Sequence, residues 1–299
     1  MSVTDTAPPA APRLAPARPR GGRTLAGRLW RVNWPAGTLA GVWLLAVLLP
    51  LYSVVASSVQ ARNNYLDRGP LALPNTFTLD NFRLVLEGGF ARYLFNTAVV
   101  TAASVLLVLV VALPAAYAIV RSPHRFVGVT FRLFLLGLAI PAQAVIIPVY
   151  LLITRMHLYD TLIAIILPTA AFALPLSLVV LAGTLRDVPK ELYEAMALDG
   201  ASPFRVLRSL VLPLSRGGVI VVAIYTAQHA WNGVVFPLVV TQSEELRVLT
   251  LGLWNFQGQF GINVPGLMAA VLLSALPFLF LYLFARRWIV AGLAGAGGK

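Results

Sequence analysis

Few residues in this chain have the chemistry to act on a ligand, and their placement narrows what they can do. Cysteine is absent, which excludes disulfides and thiolate metal sites. His124, His157 and His229 stand singly, at no metal-ligand spacing, so no metal is expected on the chain. The stretch Gly22-Arg23-Thr24-Leu25-Ala26-Gly27-Arg28-Leu29 has a superficial likeness to a phosphate-binding loop. It lacks the lysine and the magnesium-binding Ser or Thr, and no strand precedes it, so ATP is not expected to bind here. Two sets of functional groups remain. One is a group of uncharged polar side chains in apolar surroundings, Gln143, Gln228, His229 and Asn232, with Trp231 beside them. The other is a charged segment at 185–214. The first set holds no acid and a single histidine, too little for a paired-acid, Ser/His or metal site within the apolar runs, so catalysis by this chain is not expected.

The elements that position these groups follow from composition. Of 299 residues, 59% are hydrophobic and 11% charged, against about 25% charged in soluble domains. Six stretches lack Asp, Glu, Lys and Arg. They lie between Arg31 and Arg62, Arg92 and Arg121, Arg132 and Arg155, Asp160 and Arg186, Arg216 and Glu244, and Arg247 and Arg286. Each can supply the ~20 residues that a helix needs to cross a bilayer, and lipid leaves an unpaired backbone no other choice than helix. The last stretch is too long for one span; 254–263 reads as loop, with the helix starting near Pro265. Kinks are expected at Pro50, Pro114, Pro148, Pro168, Pro175, Pro237 and Pro277.

Charge gives the orientation. Seventeen of the 23 Lys and Arg fall in the N-terminal segment, the second and fourth connections and the C-terminal end; the other six are Arg62, Arg68, Arg83, Arg92, Arg155 and Arg247. The richer side is expected in the cytoplasm, together with both termini, and Trp30, Trp34 and Trp288 are placed as interfacial anchors. The formal charge of +12 then sits on that face. It flanks apolar runs, with no basic stripe of interleaved aromatics, so the lipid bilayer and not nucleic acid is the implied partner. Residues 1–33 read as a disordered basic cytoplasmic tail. The apolar run after them is too long for a signal peptide, and no clear cleavage site follows. Residues 34–290 form the membrane domain and 291–299 a cytoplasmic tail. The expected fold is all-α and integral to the membrane, with six transmembrane helices and a cytoplasmic helix-turn-helix loop.

That loop is legible in detail. Pro189 is expected at the first position of a helix, Glu191 and Glu194 lie early in it, and Asp199-Gly200 ends it, since glycine accepts the left-handed conformation of a helix stop. Ser202-Pro203 reads as an N-cap followed by proline at the first position of a second helix. By these signals alone, the segment is either a capped surface hairpin or a docking element.

Glu194-Ala195-Met196, Gly200, Leu210 and Leu212-Pro213 resemble the signature of ABC importer permeases: Glu-Ala-Ala, three residues, Gly, nine residues, Ile, one residue, Leu-Pro. Met196 and Leu210 are mild departures. The resemblance runs from about Trp34 to the end and is closest to the smaller permease of maltose-type carbohydrate importers. It rests further on Ile140-Pro141-Ala142-Gln143 with Ile147-Pro148-Val149-Tyr150, on His229-Ala230-Trp231-Asn232 with Phe236-Pro237-Leu238, on Asn255-Phe256-Gln257-Gly258, and on the 287–293 segment. Gly233 departs, where many relatives have an acid.

The resemblance implies a permease subunit in a bacterial inner membrane, with no cofactor of its own. ATP and magnesium would sit on two partner ATPase subunits, a second and distinct permease would complete a heterodimer, and an external sugar-binding protein would deliver solute. Glu191, Glu194, Ala195, Met196, Asp199, Gly200, Ala201, Leu212 and Pro213 would form the ATPase-coupling loop. Gln143, Gln228, His229, Trp231 and Asn232 suit the path of a sugar, which needs neutral hydrogen-bonding groups and aromatic faces; they equally suit hydrogen bonds between helices. Trp254, Asn255, Phe256, Gln257 and Gly258 would belong to the loop that reaches the binding protein. A permease for a non-sugar solute and a stand-alone secondary transporter are the alternatives; the second is disfavoured because ion-coupled carriers hold ionisable groups at mid-membrane.

Overall fold

The computed structural model describes residues 34–258 and 261–297. The 1–33 segment, Trp30 and Phe260 lie outside the described residues, as do the side chains of Trp288 and the 287–293 segment. The chain divides after Leu49 into two units, the second running from Pro50 to the C-terminus. Among the described residues three helices are long and apolar enough to cross a membrane: α1 (Trp34–Ser58), α4 (Phe90–Arg121) and α7 (Leu162–Arg186). Two short helices, α2 (Arg62–Arg68) and α3 (Asp80–Glu87), join the first two of these.

The third and fifth apolar runs, expected as single spans, are broken. The third consists of α5 (Arg125–Leu136), two short 3-10 turns and α6 (Ile146–Arg155), and the two arms meet at 101°. The break falls at Ile140-Pro141, both extended, with ψ of 113° and 136°. Proline drives the residue before it out of the helical region, and it cannot donate the bond that would bridge the gap. The fifth run begins with α11 (Arg216–Trp231), stops at Asn232 and resumes as α12 (Val235–Val240).

The prolines expected to kink mostly do not interrupt helix. Pro50, Pro114, Pro168, Pro175 and Pro277 lie inside unbroken helices. Pro148 and Pro237 fall in the first turns of α6 and α12, where the missing N–H has no intrahelical partner to lose.

After α7 the chain turns through α8 (Lys190–Leu198) into α9 (Pro203–Val206), a π-helical segment at Leu207–Val211 and α10 (Leu212–Leu214). This arm meets α11 at 82°. A proline ring at 213 crowds the carbonyl four residues back, and a widened π turn just before it makes room. At the bend the buried Ser215 hydroxyl donates to the Val211 carbonyl at 2.6 Å. Two elements close the chain: α13 (Leu249–Gly252), and α14 (Val264–Gly297), which begins one residue before Pro265. The segment expected as a tail from 291 is helical through Gly297. The loop expected over 254–263 contains a 3-10 turn (Leu253–Phe256) and a small antiparallel pair, β1 (Gln257–Gly258) and β2 (Gly261–Ile262), the one exception to an all-helical fold among the described residues.

The core is where α4 lies along α7, with α11 packed against both. Ala112, Ala116, Ala170, Ala173 and Ala182 are fully buried there with Val108, Leu178, Leu181 and Leu185. Lipid is as apolar as a leucine side chain, so burial alone would not hold these helices together. Small residues allow close backbone approach and the dispersion contacts that come with it.

At the end of the bundle remote from α8, Asp160 ties two connections together. It takes a left-handed conformation, φ 58°, which a short polar side chain tolerates. Its carboxylate accepts the Gln242 N–H at 2.9 Å, the Ser243 N–H at 3.0 Å and the Ser243 hydroxyl. The Gln242 N–H is the largest of the influences that hold this carboxyl below the usual range, followed by the Ser243 hydroxyl and the Ser243 N–H. A folded-state value below the unfolded one stabilises fully above about pH 4, and that stabilisation is lost as pH falls through the folded value. Asp160→Asn is therefore expected to cost about 1 kcal/mol at pH 7, discounted for solvent exposure, and to flatten the acid limb of stability. Melting of the purified proteins between pH 3 and 7 checks this; superimposable curves would refute it.

Candidate functional site

The 185–214 segment folds as a short hairpin. Pro189 is extended, with ψ 136°, and stands at the cap position just before α8, one position earlier than the sequence suggests. The helix ends in a pair of closing bonds: Gly200 N–H to Ala197 C=O at 3.1 Å, and Ala201 N–H to Met196 C=O at 3.0 Å. Such closure requires a left-handed residue between them, and Gly200 provides it at φ 68°. The Ser202 hydroxyl then accepts the Arg205 N–H at 3.4 Å, and Pro203 holds the first position of α9.

The hairpin has two faces. Inward, Tyr193, Val206, Leu210 and Val211 are buried in the α4–α7 core, with Met196 and Ala201 packed at its edge. Outward, Glu191, Glu194, Ala195, Asp199, Gly200, Leu212 and Pro213 are exposed. Two residues missed by the sequence reading stand among them: Leu198, 90% exposed, and Phe204, 72% exposed, on either side of the Gly200 turn. Leu198 was findable, because the helical period from Tyr193 and Met196 leaves it on the far side. Phe204 was not, since its direction is set by the turn.

The polar residues of the apolar runs converge on a second place. Gln143, from the turn after the Ile140-Pro141 break, and Gln228, His229 and Asn232, from the end of α11, line an open groove of about 680 Å³ with Thr169 and Tyr225. All four of the first group are exposed in this chain. Tyr225 stacks on His229, with ring centroids 6.2 Å apart. Positions 225, 228, 229 and 232 share one helical face, so Tyr225 could have been read from spacing. Asn232 also donates to the Gln228 carbonyl at 2.9 Å, closing the helix end. Trp231 does not line the groove: its indole N–H donates to the Ser274 carbonyl at 3.2 Å, and its ring lies 5.5 Å from that of Phe278, both on α14.

The third set lies at the remote end. The Asn255 side chain donates to the Tyr93 hydroxyl at 2.9 Å and accepts from Arg247 at 2.7 Å. The Tyr93 hydroxyl donates to Glu244 at 3.2 Å. Phe256 packs with Phe90 and Tyr93, and Trp254 is 48% exposed. Asn255 and Phe256 therefore fasten this loop to α4, while the backbones of Gln257 and Gly258 form β1.

A set of apolar helices long enough to cross a bilayer, broken at two of its runs and carrying a capped hairpin with an exposed face, defines a membrane-embedded protein. The chain belongs to the family of binding-protein-dependent transport system inner membrane components, which matches residues 108–295. An ABC transporter permease protein of Caldicellulosiruptor sp. is 38% identical over 85% of this chain and 93% of its own length. The diacetylchitobiose uptake system permease protein DasC of Streptomyces coelicolor is 30% identical over 93% of this chain and 99% of its own. A solved bacterial ABC transporter involved in import of the acidic polysaccharide alginate has a chain that superposes with a TM-score of 0.75, covering 85% of this chain and 94% of that one at 20% identity.

Proposed function

We propose that this chain is a six-span, non-catalytic permease subunit of an ATP-driven importer for a sugar or oligosaccharide, set in a bacterial cell membrane with both termini and the 185–214 hairpin in the cytoplasm. The observation that carries the solute class is the groove. Its functional groups are amides, an imidazole, hydroxyls and aromatic faces, which suit a neutral polyhydroxylated solute. It lies in apolar sequence, where polar side chains are costly unless they face a partner or water. The relative named for diacetylchitobiose uptake supports the same class. The groove is open on one side, where a second, distinct permease subunit would complete it. Leu198, Phe204 and the acids around the Gly200 turn offer a contact to one of two ATPase subunits, and those subunits hold the ATP and magnesium. The loop fastened by Asn255 and Phe256 faces the external binding protein.

The test is uptake of a labelled solute panel by the complete transporter with its binding protein. A sugar is expected to be taken up, and Asn232→Leu to raise its half-saturation concentration about tenfold, the effect of one lost hydrogen bond. Uptake confined to amino acids or other non-sugars would replace the solute class. If Asn232→Leu changes only the yield of assembled complex, its role is structural.

A further inference from the structure

Of the hairpin residues buried against the rest of the chain, Val206, Leu210 and Val211 follow the Gly200 turn, and Tyr193 alone seats α8. In α8, Tyr193 is the only buried residue, 5% exposed. Its ring stacks on Tyr117, with centroids 5.9 Å apart and planes at 29°. The Arg121 guanidinium lies 4.4 Å from the ring centre. Tyr117 and Arg121 are four residues apart on the last turn of α4 and so share a face. Among the described residues the Tyr193 hydroxyl has no hydrogen-bond partner. Burial pushes this phenol up from its ordinary value, against the pull of Arg121. The ring is therefore neutral, and the attraction to Arg121 is that of a cation to an aromatic face and not an ion pair.

The opposite end of α4 is fastened just as specifically. Besides the Tyr93 bonds, Asn96 donates to the Glu245 and Arg247 carbonyls at 2.7 and 2.9 Å, and the Thr97 hydroxyl accepts the Leu249 N–H at 2.8 Å. Tyr93 and Tyr117 are separated by ~36 Å of continuous helix. A single rod thus connects the seat of the hairpin to the loop at 244–256.

We propose that Tyr193 is the positioning residue that makes α8 and α4 one moving body, so that a displacement of the hairpin is delivered along α4 to the remote loop. This rests on the reading of the hairpin as the ATPase contact. The ring does the work and the hydroxyl contributes nothing to it.

The experiment uses the complete reconstituted transporter and measures solute moved per ATP hydrolysed, together with the stimulation of hydrolysis by loaded binding protein. Tyr193→Phe is expected to match wild type. Tyr193→Ala and Arg121→Gln are expected to keep their ATPase subunits while moving roughly fivefold less solute per ATP. A merely structural role would lower the amount of complex and leave this ratio alone. An unchanged ratio in either variant, or a Phe variant as defective as Ala, overturns the proposal; where Tyr193→Ala does not accumulate, Arg121→Gln decides. Leu198→Asp, on the outward face, separates the two readings. It is expected to lose the ATPase subunits, and if it retains them and transports normally the docking reading fails, whatever Tyr193 does.

Discussion

Gly200→Pro is expected to reduce solute uptake roughly a hundredfold while the chain still reaches the membrane in normal amount. Proline is confined to φ near −65°, whereas this position sits at φ 68° and uses its N–H to close α8 on Ala197. The substitution loses both, at about 3 kcal/mol or more of local stability, and the chain must leave α8 in another direction. Leu198 and Phe204 would then no longer flank a common turn. The apolar helices lie elsewhere in the sequence, which is why insertion should survive. A graded series makes the argument specific. A Cβ at 200 meets no atom within 4 Å, so Gly200→Ala pays only the left-handed backbone cost of about 1–2 kcal/mol, and asparagine, which tolerates that region, less. Uptake should therefore fall in the order Asn, Ala, Pro. Transport by the proline variant at the wild-type rate would show that the turn has no part in coupling.

Gly218→Val is expected to damage the packing of the helix core severely. A Cβ at 218 would stand 2.5 Å from Thr184 Oγ1 and 3.1 Å from Thr184 Cβ. Thr184 cannot simply turn away, because its hydroxyl donates to the Val180 carbonyl at 3.0 Å along α7. Forcing α7 and α11 apart should cost about 3 kcal/mol, seen as a fall of about 5–10 °C in the melting temperature of purified protein. Because the clash is with one side chain, Thr184→Ala should recover part of the loss caused by Gly218→Ala. Strict additivity of those two changes would show that the strain lies elsewhere.

These two glycines mark the limit of what sequence shows. Gly200 was legible because helix-stop chemistry is local: the glycine, the Ser202 cap and Pro203 act on neighbours within four residues. Gly218 carries no such signal, since its partner lies on another helix. The groove divides in the same way. Gln228, His229 and Asn232 share a helical face that spacing reveals, and Tyr225 could have been added by the same rule. Trp231 looked equally suited to a sugar, but only the position of Ser274 and Phe278 on α14 shows that it faces away.

By itself, the amino-acid sequence determined that this is a helical membrane protein, which segments are apolar, where the hairpin turns and which signature it carries. Those properties depend on local composition, on the backbone's need for hydrogen bonds in lipid and on short-range capping. Only the tertiary structure decided that the third and fifth runs are broken, that Asp160 binds a connection 82 residues away, that Asn255 is held by Tyr93, and that Tyr193 seats the hairpin on α4. The reason is physical. Such contacts are chosen by which helices can approach closely once small residues are buried between them, and no local pattern records that choice.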